Sequence, residues 1–182
     1  MGNASYYYSF VQQPTSGSVT IGNETLSVSG ISWKDHEYST SALSGDAVGW
    51  DWFSVQLDDG SALMLGQLRN ADGSLSPFSA GTFRSADGST RPLTSSEFEI
   101  TVTNTWTSET SGAEYPAGWE IDVPVIGLEL TAVPLMHNQE LNLSTTYWEG
   151  AVAYEGILAG SDVSGRGYIE LTGYAGSMQG RI

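Results

Sequence analysis

Apolar residues in this chain alternate, and almost nowhere do they recur with the period of a helix. That pattern constrains the fold more than any other feature, because a period of two sends successive side chains to opposite faces of a sheet. SVTIGNETLSVSG, residues 18–30, reads as two short strands about a Gly22-Asn23 turn. FEITVTNTW, residues 98–106, puts Phe98, Ile100, Val102 and Trp106 on one face and Glu99, Thr101, Thr103 and Thr105 on the other. Further strands are expected at Trp119–Val123, Leu128–Leu135, Leu141–Tyr147, Trp148–Leu158 and Gly167–Tyr174, with one helical turn about Thr94–Phe98. NADGS (70–74) and SADGS (85–89) are aspartyl-glycine turns. Many short strands at regular spacing make a sandwich or an antiparallel barrel, and the barrel is favoured because closure removes sheet edges and forms a pocket.

The clearest hairpin is WDWFSVQLDDGSALMLGQLR, residues 50–69. A two-residue Asp59-Gly60 turn would set Phe53 opposite Gly66, Trp52 opposite Gln67 and Trp50 opposite Arg69; a three-residue loop would shift each pair by one. In the first register Phe53, Val55, Leu57, Met64 and Leu68 share one face, and Trp50, Trp52, Leu63 and Leu65 the other. Both faces are then partly apolar, so something is expected to cover the outer one.

At 182 residues the chain has room for one sizeable core. Its net charge of −15 repels phosphate backbones and anionic bilayers, which argues against nucleic acid and membrane partners. No apolar run is long enough to span a bilayer. The opening MGNASYYYSF lacks the basic and apolar regions of a secretory leader, and a soluble chain is expected. With no cysteine there is neither disulfide nor thiolate chemistry. His36 and His137 have no metal-ligand spacing, and no acidic loop has the calcium-binding pattern, so no metal is expected. Phosphate-cradling glycine loops and a nucleophile elbow are absent as well, leaving cofactor-free chemistry or plain binding.

The candidates for that chemistry are few. His36 sits between Asp35 and Glu37, either of which could hold its tautomer, though both lie across an extended chain from it. Asp51, between Trp50 and Trp52, is a buried carboxylate with a raised pKa or, in the preferred reading, a turn cap or a partner for Arg69. Glu149 and Glu170 stand in aromatic-rich strands and are read as facing solvent. Trp33, Trp50, Trp52, Trp148 and Tyr168 are core residues first and ligand contacts second.

YYYSF, PTSGSVTIGNETLSVSGISWKDHEYSTSAL, GWDWFSVQLDDGSALMLGQLRNADGS, YWEGAV and GRGYIELTGYA together resemble the carotenoid 1,2-hydratase (hydroxyneurosporene synthase) family, which includes AttH-type lipocalin-like proteins and some polyene cyclases. The similarity extends over nearly the whole chain. Members typically have two lipocalin-like barrels, and this sequence resembles the second, so residues 1–182 are expected to form a single barrel corresponding to the C-terminal half. The resemblance implies proton-assisted hydration or cyclisation of a hydrophobic polyene or terpenoid, without a cofactor. The alternatives are a pericyclase that only folds its substrate, and a non-catalytic barrel that holds a ligand or packs on a partner.

By this resemblance His36 matches the family's Asp-His-Glu motif, which makes His36, Asp35, Glu37 and Asp51 the catalytic candidates. Trp33, Tyr38, Trp50, Trp52, Gln67, Trp148 and Tyr168 are the substrate-binding candidates. Tyr38 replaces the tryptophan of many hydratases, and Gly66 and Leu68 replace an expected tyrosine and aspartate. The expected partners are a hydrophobic small molecule and either the N-terminal barrel of the same protein or a second copy of this chain.

Overall fold

A computed structural model describes residues 6–38, 43 and 45–179. The chain divides into two compact units, residues 1–42 and 43–182. The first is a two-stranded antiparallel ribbon of β1 (Tyr6–Ile21) and β2 (Glu24–Tyr38), with Ile21 opposite Glu24 across the Gly22-Asn23 turn. The turn lies where the sequence puts it, but the strands are far longer than the short pair expected.

The second unit holds β3 (Ala47–Leu57), β4 (Ala62–Asn70), β5 (Ala80–Arg84), β6 (Thr90–Thr94), β7 (Glu99–Thr107), β8 (Glu114–Val123), β9 (Leu128–Pro134), β10 (Glu140–Asn142), β11 (Thr146–Leu158) and β12 (Ser161–Thr172). They form one ten-stranded sheet in the order β6-β5-β4-β3-β12-β11-β9-β8-β7, with β10 on β11. It is antiparallel throughout and curls strongly into a half-barrel, the all-β barrel class that the alternation favours and the lipocalin-like form that the resemblance implies. Among the described residues there is no α-helix, only a 3-10 turn at Pro124–Ile126.

Several expected strands have other bounds, and β8 begins at Glu114 where Trp119 was expected. Leu141–Tyr147 is divided between β10 and the start of β11, and the strand drawn from Gly167 begins at Ser161. In β7 the ladder is irregular between Val102 and Thr105; Val102 is 46% exposed, whereas Ile100 and Trp106 pack on the core.

The central hairpin corrects the two-residue register. Leu57 N–H donates to the Ser61 carbonyl at 2.9 Å and Gly60 N–H to the Leu57 carbonyl at 3.1 Å, so the loop has three residues, Asp58, Asp59 and Gly60. Gly60 has φ +86°, the left-handed conformation that closes such loops as a bulge. The Asp59 carboxylate accepts from the Ser61 N–H at 2.8 Å and its hydroxyl at 2.6 Å. Asp72 with Ser74 and Asp87 with Ser89 repeat this wiring. Phe53 therefore faces Leu65, Trp52 faces Gly66 and Trp50 faces Leu68. Phe53, Val55, Leu57, Leu63 and Leu65 are buried together, whereas Trp50, Trp52, Met64 and Leu68 share the half-buried outer face. Both faces are partly apolar, as expected, but their membership differs.

Inside the curl, the Trp119 ring meets Phe53 edge-on at 6.0 Å and Trp148 at 6.2 Å. The neighbouring strands approach closely at Gly167, where a Cβ would overlap the Ser54 carbonyl and come within 3.1 Å of the Tyr154 ring. Gly167→Ala should therefore destabilise the fold by about 1–3 kcal/mol or more, the usual cost of overpacking. Urea denaturation should show a lower midpoint with an unchanged slope.

Candidate functional site

The outer face of the sheet carries a wall of aromatic and acidic side chains. Cross-strand pairing places Gly66 of β4, Trp52 of β3, Glu170 of β12 and Glu149 of β11 in one row. Leu68, Trp50, Thr172 and Tyr147 form the row on one side of it, and Tyr168 stands on the other side. Glu149 and Glu170 are half-buried and directly opposite each other, an arrangement that like charges resist. The Trp50 indole N–H donates to Glu170 Oε1 at 2.6 Å. Tyr147 meets the Trp50 ring edge-on at 6.4 Å. Burial, then the charges of Glu149 and Glu170, push the Tyr147 and Tyr168 phenols up from their ordinary range. Reading these glutamates as solvent-facing missed the pair. The signal was present in the Ala159-Gly160 turn: pairing Leu158 with Ser161 brings Glu149 opposite Glu170 by counting alone.

Asp51 projects to the inner face. Its Oδ1 accepts from Arg69 Nε at 3.0 Å and its Oδ2 from the Tyr174 hydroxyl at 3.1 Å. The Arg69 guanidinium lies 3.9 Å from the centre of the Tyr174 ring and also donates to the Thr172 carbonyl. Burial pushes the Asp51 carboxyl up from the ordinary range, while Arg69 and Tyr174 oppose the shift. The preferred pairing with Arg69 is observed, and it ties β3, β4 and the segment after β12 together. Tyr174 continues the network, packing on Tyr115 at 5.4 Å, whose hydroxyl donates to Glu140 at 2.9 Å. Ser108 and Asn142 also donate to Glu140, at 2.6 and 2.9 Å.

Gln67 faces Asp51 rather than Trp52 and turns inward, away from the outer wall. Trp148 is 1% exposed in the core, its indole donating to the His137 carbonyl at 2.7 Å. In the ribbon, Tyr8 pairs with His36 and Tyr6 with Tyr38, their rings stacking at 5.3 Å in both cases. His36 Nδ1 lies 3.3 Å from the Tyr8 hydroxyl. Asp35, on the other face, accepts from the Trp33 indole at 2.9 Å and from Tyr7. The imidazole's neighbour is thus a phenol; Asp35 is engaged elsewhere, and Glu37 lies across from Tyr7.

A family model described as AttH-like matches residues 1–174. The chain belongs to the AttH-like family. An AttH structure from Nitrosomonas europaea is 39% identical and superposes with a TM-score of 0.82, over 93% of this chain and 52% of that one. Kievitone hydratase of Fusarium solani subsp. phaseoli is 24% identical over 165 residues, 86% of this chain and 46% of that protein. The structure of kievitone hydratase from Nectria haematococca, 20% identical with a TM-score of 0.75, shares the fold over 94% of this chain and 53% of its own. This AttH-like chain spans about half the length of the relatives it matches.

Removing one partner of the inner ion pair separates its structural role from any other. Asp51→Ala leaves the partly exposed Arg69 without its anion and should cost about 1–3 kcal/mol. Replacing Asp51 and Arg69 together by apolar residues should cost less than the single change. Denaturant titrations of both variants measure the difference.

Proposed function

We propose that this AttH-like chain is part of a hydratase-like enzyme that adds water across a carbon–carbon double bond of a hydrophobic polyene or terpenoid. The observation carrying this reading is the Glu149–Glu170 pair on a wall with Trp50, Trp52, Tyr147 and Tyr168. Alkene hydration needs a proton donor, aromatic faces for the carbocation and a base for water. The Trp50 N–H fixes the orientation of Glu170, which is assigned as the base, with Glu149 opposite it as the acid. In this assignment the Glu149 carboxyl gives a proton to one alkene carbon, and the cation forms at the other. Water adds there and loses a proton to Glu170; return of that proton to Glu149 across the pair restores both carboxyls, and the alkene has gained one water. Gly66, opposite Trp52, leaves room beside the row for an apolar chain. Family membership and the similarity to kievitone hydratase support the reaction class.

His36 is a second candidate for the acid, favoured by its stacking on Tyr8 and by the family motif. Product mass spectrometry in oxygen-labelled water, with terminal isoprenoid alkenes and the full-length protein, tests both readings. Glu149→Gln and Glu170→Gln should each lower turnover by roughly two or more orders of magnitude. Unchanged turnover in both, with comparable loss in His36→Gln, would move the acid to the ribbon. Full activity in all three variants would make the wall a template that only folds its substrate.

The same reading gives the outer wall a cover, supplied by the other half of a longer polypeptide or by a second copy of the chain. Tyr168 at 41% exposure and the half-buried Trp50 and Trp52 support this. Alone, the chain should dimerise in light scattering or bind a hydrophobic dye; a monomer that binds no dye would overturn it.

A further inference from the structure

The half-barrel has a seam, because its edge strands β6 and β7 are joined through the chain and not by a strand ladder among the described residues. At that seam a cleft of about 360 Å³ opens between the 75–79 segment and the start of β7. Its volume lies within the roughly 300–1,000 Å³ usual for small-molecule sites. Gln67 lines it and is 7% exposed, yet its side-chain amide makes no hydrogen bond with the described residues. Its cross-strand neighbour Asp51 cannot meet that demand, being occupied by Arg69 and Tyr174. The residue is buried but its amide opens onto the cleft, so its donors and its acceptor are available to a molecule held there.

We propose that this cleft is a second ligand site, accepting the carbonyl oxygen of a small, neutral ring compound. The hydrogen-bonding groups facing the cleft have protons to give. Ser79 Oγ accepts the Leu68 N–H at 3.0 Å and Ser76 Oγ the Phe78 N–H at 3.3 Å, so each keeps its own proton for an acceptor in the cleft. The Gln67 amide adds two donors. Phe98, 7% exposed, and Ile100 supply an apolar surface for a ring. No basic side chain lines the cleft among the described residues, and Glu99 stands in its lining, so an anion has no partner there. Gln67 lies on the opposite face of β4 from Gly66 and Leu68, so this site stands independently of chemistry on the outer wall.

Coumarin, a neutral lactone, is the probe, with naphthalene as the ring lacking an acceptor and coumarin-3-carboxylate as the anion. Titrated into the full chain and followed by amide chemical shifts, coumarin should move residues 67, 76, 79 and 98. Naphthalene should bind roughly five- to tenfold more weakly, the scale of a lost neutral hydrogen bond, and the carboxylate more weakly still. Gln67→Leu should reduce coumarin affinity by a similar factor. Ser79→Ala serves the same purpose if Gln67→Leu does not fold. Shifts confined to other residues, equal affinity for coumarin and naphthalene, or unaltered binding in a folded variant would overturn the site.

Discussion

The three-residue loop at Asp58, Asp59 and Gly60 is the constraint on which the rest of the sheet depends. A strand has a side-chain period of two, so a slip of one residue would exchange every contact between the faces of β3 and β4. The left-handed Gly60 and the Asp59 carboxylate, bonded to Ser61, exclude the slipped register. With that register, Phe53 and Leu65 meet in the core, Asp51 meets Gln67 at the rim, and Trp52 is delivered to the outer wall. The Ala159-Gly160 turn does the same for β11 and β12, which is why the glutamates coincide.

The two faces use their charged groups differently. On the inner face Asp51, Arg69 and Tyr174 satisfy one another, so burial is tolerated and three segments are held in place. On the outer face Glu149 and Glu170 oppose each other, with Trp50 giving Glu170 a fixed donor. A pairing that costs stability on a half-buried aromatic wall is consistent with the catalytic role proposed for it. The Gln67 amide belongs to neither arrangement and opens onto the cleft at the seam.

The ribbon poses a separate question of stability. Two strands alone are marginal in water, and this pair exposes Tyr6, Phe10, Ile21, Ile31 and Tyr38. Rings stacked at 5.3 Å and the Trp33–Asp35 bond organise its surface without giving it a core. Kinship with proteins about twice as long fits a chain whose chemistry involves surfaces beyond those it buries.

The sequence by itself determined the class of the fold and several of its turns. Alternation is a local property, and Gly22-Asn23, Asp59-Gly60 and the two other aspartyl-glycine turns announce themselves through the conformations they require. The family was legible in whole motifs, and Asp51's preference for Arg69 followed from their nearness across a hairpin. Only the tertiary structure decided which side chains share a wall. The extra residue in the loop sent Gln67 inward and Met64 outward, a one-residue difference that composition cannot reveal. Glu149 and Glu170 flank one hairpin, and reading their strands singly hid a pairing that the ladder makes direct. Tyr174 joined Asp51, and Glu140 joined Tyr115, because curling the sheet brings distant strand ends together. Local sequence sets the backbone's period; neighbourhood across the sheet is set by the register and closure of all the strands at once.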